Sequence, residues 1–409
     1  MSHPNAVRPA RPKRWPVLCG LMVGGLLWTS ATVRSDDNDT PASLNGSIAG
    51  KLPENARPQL AIDEYKKLAD ELRVTYGKPP ADWPKPDLEP GVPHHELGLL
   101  SAPPQPEDNP TSREKIALGK KLFFDPKLSG SGQFSCASCH NPELGWGDGS
   151  QLAFGHGRQR TKRNTPSIMG SGHNTTQFWD GRAATLEDQA VGPITTLEEM
   201  NADLPAVEKA VNGSDEYKKS FAEIFKVDTI TVKEITQALA CFERSVNGGN
   251  SAFDRFLRGR ANAMTDAQVR GLHVFRTQGG CLNCHNGPNF SDNLFHNDGL
   301  SNYGSARQDV GRYEITKKAE DVGAFRTPSL RNIERTGPYM HSGFFEMDEV
   351  LRLYNNGMFT IKRLKKFEND PLFPTKSPLL KVRNMNRQDL DDLKAFLFSL
   401  TEPKQYPPR

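Results

Sequence analysis

Two identical pentapeptide patterns constrain this chain more than any other feature: Cys136-Ala-Ser-Cys139-His140 and Cys281-Leu-Asn-Cys284-His285. C-x-x-C-H is the attachment signature of c-type haem. Two thiols at that spacing add to the two vinyl groups of one porphyrin. The adjoining imidazole is then held where it can take an axial position on the iron. With 6 Cys and 10 His in 409 residues, one match is expected by chance only about 0.002 times, so two matches exclude coincidence. C-x-x-C pairs also occur in zinc half-sites and redox dithiols. Zinc needs further Cys or His nearby, and apart from Cys19 the only other cysteine is Cys241. That residue lies in the apolar helical stretch Ile235-Thr-Gln-Ala-Leu-Ala-Cys-Phe-Glu and reads as a buried thiol acting as a small hydrophobe. The spacing therefore predicts two covalently bound haem c groups.

The first 31 residues carry Arg8, Arg11, Lys13 and Arg14 and no acid, followed by an apolar run from Val17 to Trp28 and the small residues Thr29-Ser30-Ala31. This is the layout of a secretory signal, with an uncleaved N-terminal anchor as the alternative; either places the chain in the periplasm. Four of the 52 basic side chains leave with it, so 48 face 49 acids in the remainder. The apparent basicity belongs to the export segment, and there is no electrostatic case for nucleic acid. No second apolar run approaches 18 residues, which excludes a multi-span membrane protein. An exported chain with six Cys would ordinarily suggest three disulfides. Here Cys19 leaves with the signal and four Cys are committed to the haem motifs.

The motifs head two related halves. Thr111-Ser-Arg-Glu114 and Thr265-Asp-Ala-Gln268 both read as capping boxes opening a helix. The first helix carries Ile116, Leu118, Leu122 and Phe123, and the second Val269, Leu272, Val274 and Phe275. Arg163-Asn-Thr-Pro-Ser167 is echoed by Phe325-Arg-Thr-Pro-Ser329, and Gly181 and Gly343 each follow 14 residues later. The offset between halves is 145 at the haem motifs and 162 at these later points, so the chain reads as a duplicated module with about 17 extra residues in its second copy. Further helices are predicted at 61–76, 231–246 and about 387–400. Residues 32–110 are Pro-rich and weakly periodic, an extended arm or linker. With 31 Pro and 35 Gly, long irregular stretches are expected between helices. The fold class is mainly α: two cytochrome c-like haem domains with long loops, at 111–263 and 264–409, behind the arm.

The order C-x-x-C-H, Gly155-His-Gly, Arg163-Asn-x-Pro, Gln177-Phe-Trp-Asp-Gly-Arg, Glu199-Met, second C-x-x-C-H, Thr327-Pro-Ser-Leu-Arg-Asn, Thr336-x-Pro-Tyr-Met-His resembles the bacterial di-haem cytochrome c peroxidase and MauG family. The likeness covers roughly residues 111–400. It implies that the haem at Cys136, Cys139 and His140 is peroxidatic and the haem at Cys281, Cys284 and His285 transfers electrons. It implies that Trp179 lies between the haems and that Glu199 is the distal-pocket acid, able to move a proton between the two peroxide oxygens; neighbouring Glu198 is the control. It places Asn164, Thr336 and Pro338 where a calcium ion would be held by carbonyl and amide oxygens.

Two positions bear on subtype. His156 matches the histidine that caps the peroxidatic iron in resting cytochrome c peroxidases. At the second haem, Tyr354 falls where MauG-type enzymes have their tyrosine ligand. Met358, four residues on and hence on the same helical face, is the competing candidate. A thioether raises the iron potential; a phenolate favours ferric and higher states. The implied function is a peroxidase that reduces hydrogen peroxide with electrons from a small cytochrome c or cupredoxin. The alternative is a MauG-like enzyme that oxidises side chains of a partner protein. A plain di-haem electron carrier is the third reading. A homodimer is among the assemblies the resemblance implies.

Overall fold

The computed structural model describes residues 52, 53 and 55–403; the export segment and Cys19 lie outside the described residues. Helices follow one another as α1 (Ile62–Tyr76), α2 (Arg113–Phe124), α3 (Leu186–Thr195), α4 (Leu204–Asn212), α5 (Asp215–Phe225), α6 (Val232–Ser245), α7 (Ala252–Leu257), α8 (Asp266–Arg276), α9 (Tyr313–Thr316), α10 (Met347–Asn355) and α11 (Arg387–Phe398). Among the described residues the sheet content is one antiparallel pair, β1 (Phe295–Asn297) with β2 (Ala324–Arg326). The architecture is mainly helical, and no helix of the described residues is long and apolar enough to cross a membrane.

The helix starts follow local hydrogen bonding. At α8 the expected box forms: the Gln268 N–H donates to Thr265 Oγ1 at 3.3 Å and the Thr265 N–H to Gln268 Oε1 at 2.8 Å. At α2 the cap falls one residue later than expected, on Ser112, whose Oγ accepts from the Lys115 N–H at 3.2 Å. Thr111 is otherwise engaged, its Oγ1 accepting from Arg244 Nε at 3.3 Å.

Two apolar clusters organise the chain. One gathers Leu118, Leu122 and Phe123 of α2 with Ala238, Leu239 and Phe242 of α6; the other gathers Leu272 and Phe275 of α8 with Leu393, Phe396 and Leu397 of α11. Each fully buried Leu or Phe stabilises its cluster by roughly 1.5–3 kcal/mol. Both crossings depend on one glycine. A methyl at Gly119 would overlap the Ala238 carbonyl and Phe242 Cβ, and a methyl at Gly271 would overlap the Asp392 carbonyl and Phe396 Cβ. The duplication read from sequence thus extends to the close approach of each helix pair. Of residues 32–110, Leu72, Tyr76, Trp83 and Leu97 belong to the second cluster, and α1 packs on α8. Arg276, 1% exposed, bonds the Pro84 carbonyl at 3.0 Å and pairs with Glu96 from the same segment.

The halves are joined by a reciprocal exchange. Gln177–Ala183 and Tyr339–Phe345 are bridged turns at the 162-residue offset, with Gly181 at φ +68° and Gly343 at φ +61°. Only glycine takes that left-handed region without cost. The Asn164 N–H donates to the His341 carbonyl, and the Arg326 N–H donates to the Trp179 carbonyl, each at 2.8 Å. Each half thereby hydrogen-bonds the other's turn. Arg163 locks the seam, bonding Asp180 of its own half at 2.5 Å and both oxygens of Asp309 at 2.7 and 2.8 Å. Although burial works against the charges, these bonds hold the Arg163 pKa above and the Asp309 pKa below their ordinary values.

Candidate haem sites

Each C-x-x-C-H folds as a single 3-10 turn, Cys136–Ser138 and Cys281–Asn283, with the motif histidine's N–H returning to the first cysteine's carbonyl at 3.0 and 2.8 Å. Such a turn brings both sulfurs and the imidazole onto one patch. His140 Nδ1 pairs with the Trp146 carbonyl at 2.9 Å, and His285 Nδ1 with the Phe290 carbonyl at 3.0 Å. Because a carbonyl only accepts, Nδ1 carries the proton and Nε2 is left as the metal-binding nitrogen. Burial pushes both imidazoles down, towards the neutral form that a ligand requires. Behind His140 stand Phe123, Trp146 and Phe242, with ring centroids 5.0–6.3 Å apart. Behind His285 stand Phe275, Phe290 and Phe396, 5.2–6.3 Å apart.

The thiols separate haem from a redox dithiol. Burial pushes the Cys136 thiol up and raises Cys139 and Cys281 to about 12. A reactive redox dithiol needs the opposite shift. Cys241 is fully buried, its thiol 3.4 Å from Asn109 Oδ1. The second motif opens into a cavity lined by Cys281, Cys284, His285, Leu351, Leu393 and Leu397. Residues of the first half, including Asn164, Met169 and Trp179, complete its wall. An apolar chamber carrying two thiols and an imidazole whose Nδ1 is held by a carbonyl fits a covalently bound porphyrin.

Tyr354, near the end of α10, lines this cavity and Met358 does not. The same-face argument for Met358 fails because the helix stops at Asn355. Gly357 and Met358 then turn through φ +77° and +60°, and the thioether packs with Leu300, Phe345 and Leu353. Burial, then the carboxyl of Asp298, raises the Tyr354 phenol above its ordinary pKa. Asp298 itself is pushed up to about 7 by burial. Asn164, Thr336 and Pro338 also line the cavity. The Asn164 amide nitrogen donates to the Ser150 and Gln151 carbonyls at 2.9 and 3.2 Å, so Oδ1 is the acceptor end of the amide.

On the first half, Glu199 and His156 come together. The His156 N–H donates to the Glu199 carbonyl at 2.8 Å, and a methyl at Gly155 would overlap the backbone of Glu198 and Glu199. The buried Nδ1 of His156 has no hydrogen-bond partner among the described residues. Burial raises the Glu199 pKa, against the pull of Arg182. Its charge adds to the rise of the Cys136 and Cys139 thiols, which puts the carboxyl within electrostatic reach of the first motif. Trp179 donates from Nε1 to the Asn164 carbonyl at 2.9 Å.

Sequence reasoning gave no role to His341, which stands at Trp179 plus 162. The two rings meet edge-on at 6.4 Å, and His341 stacks on Phe325 at 3.6 Å. It is 3% exposed, its Nδ1 is unpartnered among the described residues, and burial lowers its pKa to about 4. The repeat offset was the signal that could have singled it out. Asp292 and His296 were also missed: they pair at 2.9 Å beside Cys284. A thioether at Cys284 removes the thiolate that a metal ion would need there.

Residues 113–262 match the family model for di-haem cytochrome c peroxidase. The chain is 35% identical to a cytochrome-c peroxidase, IdrP1, from Pseudomonas sp. (strain SCT), over 76% of this chain and 87% of that one. It is 38% identical to the methylamine utilization protein MauG of Methylorubrum extorquens, over 73% and 81% of the two chains. A solved MauG-like protein associated with microbial copper homeostasis superposes with a TM-score of 0.67 at 31% identity, covering 77% of this chain and 96% of that one. The chain belongs to the di-haem cytochrome c peroxidase and MauG family of oxidoreductases.

Proposed function

We propose that this chain works in the periplasm as a peroxidase, reducing hydrogen peroxide to water with electrons from a small redox protein. Members of its family carry two haems, and the two modules, 111–263 and 264–409, supply one attachment site each. Haem iron, when bound, supplies the one-electron couple and the position where peroxide binds. The chain's own residues do the rest. Glu199 carries the reading: it is a carboxyl near the first motif whose pKa burial raises, suited to pass a proton between the peroxide oxygens. His156, with its free Nδ1 between two glycines, suits a displaceable cap on the first iron. Trp179, joined to His341 across the seam, couples the halves. Asn164, Thr336 and Pro338 suit a calcium ion that would tie the seam further.

The test is peroxide-dependent oxidation of a reduced small cytochrome c by the haem-loaded protein. Converting Cys136 and Cys139 to Ser should abolish turnover while leaving the second haem reducible; undiminished turnover would contradict the assignment.

One observation favours a second reading. Tyr354, not Met358, faces the second cavity, and a phenolate there favours higher oxidation states. With such a ligand the protein would act in the MauG manner, oxidising side chains of a partner protein.

A further inference from the structure

The segment that leaves α10 is unlike the rest of the chain. Residues 357–382 form a long irregular excursion whose stems are pinned together: Asn356 bridges Val382, and the Arg383 N–H donates to the Asn355 carbonyl at 2.9 Å. Both stems thus adjoin Tyr354. Loops of this length in a compact fold are usually functional. Through residue 383 this one holds seven Lys and Arg against two acids, Lys381 and Arg383 being paired with Glu89, in a chain whose remainder after residue 31 has an excess of acids. Lys362, Arg363, Lys365 and Lys366 are exposed in sequence around Leu364, itself 50% exposed. Of the two acids, Asp370 is occupied by the Tyr303 hydroxyl at 2.8 Å. Tyr303 anchors the loop, meeting Phe367 and Phe373 edge-on at 5.5 and 5.7 Å, and within the loop Arg363 lies over Phe373 at 4.5 Å. The descending arm becomes the wall of the second cavity through Leu379, Leu380, Lys381 and Arg383, and the Arg383 guanidinium lies against Gly280, next to Cys281.

A basic, ordered loop with an exposed apolar residue, rooted on the second haem site, has the composition of a docking surface. Charges at its rim steer approach and the apolar centre provides contact. We propose that this loop docks an acidic small redox protein against the edge of the second site. This rests on the reading of the second haem as the point where electrons enter, and it adds the charge class of the partner. An anionic membrane is the other surface such a loop could meet. The loop contains no amphipathic helix to lie in one, its 3-10 turn at Lys365–Phe367 being a single turn, and its stems place it on a redox site.

The experiment measures association instead of turnover, so it fails separately from the peroxidase reading, which oxidation of an uncharged phenol such as guaiacol would test. The haem-loaded protein and its Lys362→Glu/Lys365→Glu/Lys366→Glu variant are titrated with a strongly acidic and a strongly basic small c-type cytochrome. Salt is varied from about 20 to about 500 mM, which spans weak to near-complete screening. Steering by complementary charge raises association rates by roughly 10- to 1,000-fold. The native protein should bind the acidic cytochrome at least tenfold faster than the variant does at low salt, the gap should close at high salt, and the basic cytochrome should show the reverse order. Equal rates for native and variant protein, or preference of the native protein for the basic cytochrome, would overturn the proposal. So would loop-dependent binding to phosphatidylserine vesicles without discrimination between the cytochromes.

Discussion

Glu199→Gln removes one ionisable oxygen at nearly constant volume from a residue whose backbone carbonyl holds the His156 loop and whose carboxyl lies within electrostatic reach of the first motif. A positioned acid–base group contributes about 10²–10⁴-fold to rate, which is about 3–5 kcal/mol at 1.36 kcal/mol per tenfold. That whole range is the expectation for Glu199, whose pKa burial raises. The assay is kcat/KM for peroxide, measured with the haem content of each variant fixed by its absorbance. Glu198→Gln, on the half-buried neighbour, should change kcat/KM by less than about threefold, in keeping with a group that has no acid–base role. Loss of fold is not the explanation to expect. A carboxyl whose folded pKa is raised stabilises the protein fully below its unfolded pKa and ceases to do so as pH rises through the folded pKa. Glutamine does not ionise, so the variant's Tm should match or exceed the native value, increasingly above the pH at which Glu199 titrates. A Glu199→Gln enzyme within threefold of native activity, or a Glu198→Gln enzyme equally impaired, would refute the reasoning.

Tyr354→Phe should alter the second haem's absorption and shift its midpoint potential upward by about 0.1 V or more, a modest part of the roughly 0.8 V that axial ligands span. Met358→Leu should leave both unchanged, and the reverse pattern would move the ligand to Met358. Gly271→Ala forces a methyl into the Asp392 carbonyl and should destabilise by about 3 kcal/mol, the upper end for overpacking. Thermal unfolding should show it as a Tm lower by about 5 °C, with second-haem incorporation reduced before the first; a neutral effect would mean that the α8–α11 crossing relaxes freely.

Much of this was legible in the sequence because it is local. C-x-x-C-H spacing sets the geometry of one turn, and three predicted helices fall within two residues of Ile62–Tyr76, Val232–Ser245 and Arg387–Phe398. The repeat offset of 162 matches the structural echo of the bridged turns and of their left-handed glycines. What escaped depends on contacts between segments distant in the chain. The α2 cap moved to Ser112 because Arg244, more than a hundred residues away, engages Thr111. Met358 competes with Tyr354 for the same face only if the helix continues past Asn355, where it in fact stops. The exchange of turns that brings Trp179 against His341 leaves no periodic trace, since its hydrogen bonds run from backbone to backbone and every residue carries the same groups. The apolar part of residues 62–97 was too sparse to advertise its place in the second cluster, where Tyr76, Trp83 and Leu97 are contributed singly.

The central claim is that two linked sites divide the labour, with proton handling beside His140 and electron entry beside His285. The most direct measurement is peroxide added to the haem-loaded protein, once fully ferric and once reduced by a single electron, followed by absorbance and electron paramagnetic resonance. The peroxidase account predicts no fast reaction in the ferric protein, where His156 caps the first iron, and rapid consumption of peroxide after one-electron reduction. Immediate, long-lived loss of both ferric signals in the oxidised protein would contradict it and transfer the case to oxidation of a partner protein through Tyr354.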